Sequence, residues 1–152
     1  GEPSAVLFRR ADLANHYWRA ESRGYKAISD VAMWLELLEK GDCIFFQKPL
    51  SCYRRHEEQE GQQAPVILLS RLEWLRLIGE YFERRVYIKT EEEYRKPLEL
   101  LYGEYLAERD RFDRKAAGEY WLKYEEAMRS VRRILEKMKK KERTHGKREG
   151  KG

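Results

Sequence analysis

Ser29-Asp-Val-Ala-Met-Trp-Leu-Glu-Leu-Leu-Glu-Lys-Gly-Asp42, running on into Cys43-Ile-Phe-Phe-Gln-Lys-Pro-Leu-Ser-Cys-Tyr-Arg-Arg-His56, is the unit that the rest of the chain supports or extends. Val31, Trp34, Leu35 and Leu38 fall on one stripe of a 3.6-residue helix. Ser29 stands where an N-cap belongs, Asp30 follows in the first turn where a carboxylate suits the helix dipole, and Gly41 stops the helix. The apolar run Cys43 to Phe46 predicts a short strand. Gln47-Lys48-Pro49 turns the chain, and Leu50 to Tyr53 predicts a second strand leading into Arg54, Arg55 and His56. Glu57 to Ala64 is polar, either a disordered loop or a lid that orders over a ligand.

Upstream, Ala5-Val6-Leu7-Phe8 reads as a buried strand closed by Arg9-Arg10. It needs partners for its backbone groups, either the two strands above or neighbours further upstream. Asp12 caps a short helix bearing Leu13, His16 and Tyr17, with Gly24 at its end. His16 reads as a surface or half-buried histidine rather than a site.

Downstream the chain turns helical. Pro65 suits a first helical turn, and Val66, Leu69, Leu72, Ile78 and Phe82 recur at helical spacing. Ser70-Arg-Leu-Glu73 matches a capping box, and Thr90-Glu-Glu-Glu93 is a clearer one. The latter opens a helix with Tyr94, Leu98, Leu101, Tyr102, Tyr105 and Leu106, in which Pro97 is awkward. Asp113 is placed to cap the last long helix, whose stripe is Tyr120, Trp121, Tyr124, Met128, Val131, Ile134, Leu135 and Met138. The linker from Arg109 to Phe112 makes these two helices an antiparallel hairpin.

In a chain of 152 residues, 39% charged and 41% hydrophobic, one domain or a small domain with a helical extension fits. No apolar run approaches the ~20 residues that span a bilayer. The net charge of +5 is concentrated from Arg129 onward, where a solvated helix end and disordered terminus compete with a nucleic-acid or membrane site. Cys43 and Cys52 fit no zinc spacing and read as half-buried thiols of a reducing, cytoplasmic compartment. The opening Gly1 leads us to expect a processed, excised or truncated product.

The order of Asp30, Trp34, Leu35, Gly41, Pro49-Leu50 and Tyr53-Arg54-Arg55-His56 resembles the acceptor-side, C-terminal half of a family-2 glycosyltransferase catalytic domain of the GT-A fold. Residues 1–10 also look like the segment that leads into its acceptor region. The resemblance covers residues 1–63. It implies that Asp30 is the catalytic base, taking the proton of an acceptor hydroxyl as that oxygen attacks the anomeric carbon. His56 matches a position that binds metal or diphosphate in some relatives, and Arg54 and Arg55 would offset charge on the departing diphosphate. On the residues alone, Asp30 is a first-turn acid, His56 a strand-end histidine and Trp34 a core residue. The pattern departs from the family at Ser29, where many relatives have Glu, and no Asp-x-Asp motif precedes the Ser4 segment.

The expectation is therefore an α+β, predominantly helical chain: a partial GT-A-like segment with a few short strands over 1–63, a long-helix hairpin or small bundle over 64–141, and a disordered basic tail over 142–152. The parent protein would transfer sugar from a nucleotide-sugar donor to a hydroxyl acceptor with a divalent metal, Mg or Mn. This chain alone would be inactive and would hold no metal. It would be cytoplasmic, with peripheral attachment at the inner membrane surface through its basic end as an option, and its long helices offer an oligomer interface. The alternative is a non-catalytic basic helical module that binds a protein partner, an anionic membrane surface or nucleic acid.

Overall fold

The computed structural model describes residues 6–13, 24–48, 52 and 63–149. A 3-10 turn, Arg10–Leu13, precedes α1 (Ser29–Leu38), α2 (Ala64–Arg84), α3 (Glu91–Glu108), the single-turn α4 (Arg114–Ala117) and α5 (Glu119–Glu149).

The long helices α2, α3 and α5 pack as a three-helix bundle. Its seam is the stripe on α5, where Trp121, Tyr124, Met128, Val131 and Leu135 are buried at alternating steps of three and four residues. Leu68 of α2 and Leu98 of α3 close on that stripe, so of the expected hairpin or small bundle over 64–141 it is the bundle that forms, with α2 as its third helix. The capping box at α3 is formed in full. The Glu93 N–H donates to Thr90 Oγ1 at 3.1 Å, and the Glu93 carboxylate accepts the N–H groups of Lys89 at 2.7 Å and Thr90 at 3.1 Å. Pro97 lies inside α3, which continues through it.

Asp113 caps α4 instead of α5: its Oδ1 accepts the N–H groups of Lys115 and Ala116 at 2.9 and 3.1 Å. Gly118, at φ +57° and ψ −136°, then breaks the chain before α5 begins. That backbone conformation is open to glycine and costly for any other residue. Within the stretch expected to be disordered, α5 is helical as far as Glu149.

Among the described residues there is no strand, and the expected α+β class with a GT-A-like segment is corrected to all-helical. Residues 42–47 follow an irregular path with Cys43 to Phe46 exposed, and Val6 to Phe8 form no strand either. The residue types favour a pleated surface, but strand preference is realised only against neighbouring strands and a buried face. Of the second expected strand only Cys52 is described. Cys43 and Cys52 are free and exposed, which corrects the half-buried reading.

Helix α1 packs across the far end of α2. Tyr25, Ile28, Ala32 and Met33 form a second cluster with Leu77 and Tyr81. Its N-terminus is capped from a distance. Ile28 occupies the N-cap position and offers no side-chain bond. The buried carboxylate of Glu73, on α2, accepts the backbone N–H groups of Lys26, Ala27 and Ile28 at 2.8, 2.8 and 3.1 Å. Two expectations are corrected by this. Ser29 is not the cap, since its hydroxyl donates back to the Lys26 carbonyl at 3.5 Å, and Ser70–Glu73 is no capping box but lies within α2.

At the other end of α1, Arg84 donates to Glu39 at 2.5 Å and the Tyr87 hydroxyl donates to the Leu35 carbonyl at 2.7 Å. The bond to Glu39 holds the Arg84 pKa above its ordinary value.

Candidate functional site

Asp30 lies in the first turn of α1, half-buried, and its Oδ1 accepts the N–H of Val31 at 2.8 Å. That is the geometry of a first-turn acid. Arg54, Arg55, His56 and His16 lie outside the described residues. Among the described residues no group of three or more His, Cys, Asp or Glu side chains is arranged to hold a metal ion.

At the end of the bundle where α2 begins, a cleft of about 370 Å³ is lined by Ala64, Ile67, Glu108, Arg111, Phe112 and Asp113, and does not include Asp30. Its back wall is structural. Arg71 donates to Glu108 at 2.5 Å and lies 5.5 Å from the Phe112 ring centre and 5.9 Å from that of Tyr124. Burial opposes the Arg71 charge, yet the bond to Glu108 and the attraction of Tyr124 and Glu108 hold its pKa above the ordinary value. Burial in the same place raises the Tyr124 hydroxyl. These groups fasten α2, α3 and α5 together.

The outer face of α5 is different. Arg129, Arg133, Lys137 and Lys140 are exposed and recur at intervals of four, four and three residues. At about 100° per residue they share a sector of about 80° turned away from the buried stripe, spread over about 16 Å of helix. Other cations of α5 are engaged: Lys123 with Glu119 at 3.1 Å, Arg132 with Glu136 at 2.8 Å and Lys141 with Glu91 at 2.6 Å. The bond from Lys141 lowers the pKa of Glu91. The four cations of the outer face have no carboxylate partner among the described residues. The charge was visible in the sequence. Its alignment on one face, and which cations are neutralised, follow only from where the buried stripe and the carboxylates lie.

Comparison with protein-family models, with curated proteins and with solved structures finds no match for this chain. With no strand among the described residues and no matching family or structure, the resemblance to half of a GT-A glycosyltransferase domain is corrected. The GT-A fold is built on a sheet, and the elements placed around Asp30 here are helix and irregular chain. No helix among the described residues is long and apolar enough to cross a membrane.

Proposed function

We propose that this chain is a helical binding module that docks on a surface or polymer bearing clustered phosphates, through the outer face of α5. The observation that carries the reading is the run of exposed cations at Arg129, Arg133, Lys137 and Lys140, which have no carboxylate partner among the described residues. Residues 129–149 hold ten basic and three acidic side chains, a net +7 in a chain of net +5, so the remainder is net −2. Charge is thus segregated onto one helix. Clustered like charges on a folded surface repel one another, and a partner of opposite sign relieves that repulsion while releasing its own counterions.

The test is elution of the whole chain from phosphocellulose in a salt gradient. Glutamate at all four positions should shift elution to much lower salt with the helical circular dichroism unchanged. Elution at the parent's salt concentration would refute the reading.

A further inference from the structure

Beside the cationic face, the structure holds a second unusual surface. Ile44, Phe45 and Phe46 are 80%, 82% and 69% exposed, three bulky apolar side chains in succession. Single exposed apolar residues are ordinary, but a contiguous group marks a surface that meets a non-aqueous neighbour.

The contacts around α1 fix where the chain enters this group. The pair Arg84–Glu39 and the bond from Tyr87 to Leu35 hold the exit of α1 against the end of α2. The pair Lys141–Glu91 holds the basic end of α5 against the start of α3, only the short 85–90 connection away. The chain leaves α1 for the apolar segment, which begins five residues after Glu39, at the pole that also holds the cationic end of α5. Lys40 and Lys48, both exposed, flank the segment. Most carboxylates at this pole are engaged: Glu39 by Arg84, Glu91 by Lys141, Glu92 by Lys96 and Glu93 by the N–H groups of Lys89 and Thr90. Asp42 stands between Lys40 and the apolar run.

Resting on the phosphate-docking reading, we infer that the partner is the anionic leaflet of a lipid bilayer, with Ile44, Phe45 and Phe46 entering the acyl boundary while Lys137 and Lys140 meet lipid phosphates. A nucleic-acid backbone satisfies the cations but offers nothing apolar to the exposed side chains. A bilayer interface supplies both at one plane, and stable attachment there takes two signals, apolar insertion and a basic patch. Docking on the membrane, not crossing it, also agrees with the absence of a spanning helix among the described residues.

The experiment is co-sedimentation of the whole chain with vesicles of phosphatidylcholine alone or mixed with phosphatidylserine, and gel shift with duplex RNA. The parent should bind the mixed vesicles and not the neutral ones, and soluble glycerophosphoserine should not displace it. Phe45→Ser with Phe46→Ser should weaken vesicle binding about ten-fold or more while phosphocellulose elution stays unchanged. Both side chains are exposed, so the fold does not depend on them. Lys137→Glu with Lys140→Glu should lose both kinds of binding. If the serine variant binds vesicles like the parent, or if the parent shifts RNA and ignores vesicles, the bilayer inference is overturned while the phosphate reading stands. If the glutamate variant keeps phosphocellulose binding, the underlying reading falls instead.

Discussion

Along α5, the side chains from Trp121 to Leu135 are buried at every third or fourth position, whereas α1 buries only Ala32 and Met33. The bundle is held by a periodic apolar seam shared among three helices. The α1 region is held by a small cluster and by polar bonds at its two ends, to Glu73 and to Arg84 and Tyr87. The contrast teaches that burial of a stripe gives cooperative stability, while a short helix on the rim relies on a few directional contacts and should open on its own.

The largest effect is expected at the seam. Met128 is fully buried, and Met128→Ala should cost about 2–5 kcal/mol, read from the urea midpoint of the whole chain. A loss within ~0.5 kcal/mol would show that the stripe is not the core. Glu73→Gln comes next. The amide has one acceptor oxygen in place of two, and its NH₂ would face backbone donors. It should weaken the local closure of α1 by about 1.5–3 kcal/mol. Hydrogen exchange should then speed up at Lys26, Ala27 and Ile28 and through α1, with the amides of α5 little changed. Equal acceleration in both would show that the two regions unfold as one.

The smallest effect belongs to the start of α3, where Thr90→Ala should cost about 1 kcal/mol by losing the cap to the Glu93 N–H. Acid tests the same turn from the other partner. The N–H groups of Lys89 and Thr90 hold the Glu93 pKa below its ordinary value. Its contribution is therefore full above the usual carboxylate range and is lost as pH falls through the depressed value. An NMR titration should find Glu93 below the ordinary glutamate value, and the Lys89 and Thr90 amides should lose protection in acid. A Glu93 that titrates normally would remove the carboxylate from the box.

Periodic features could be read from the residues because they repeat within one element. The α5 stripe and the Thr90–Glu93 box need only neighbours three or four positions away. Features made between elements could not. Glu73 follows Ser70 at the spacing of a capping box, and nothing in the sequence says that its partners lie more than forty positions upstream. Cys43 to Phe46 has strand composition, but whether a strand forms depends on an edge that composition does not encode. For the candidate site, the basic character of the last helix was legible. Which of its cations are engaged was not, because Glu91, which neutralises Lys141, sits on another helix.

One carboxylate bridging three successive peptide groups also sets the angular phase of α2. Every residue inserted in that helix between Leu68 and Glu73 would rotate Glu73 about 100° relative to the bundle seam. The anchor would then face water or its neighbours, and α1 would lose its moorings although no residue of α1 had changed. Length variation should therefore be far less tolerated in that short span than in the 85–90 connection.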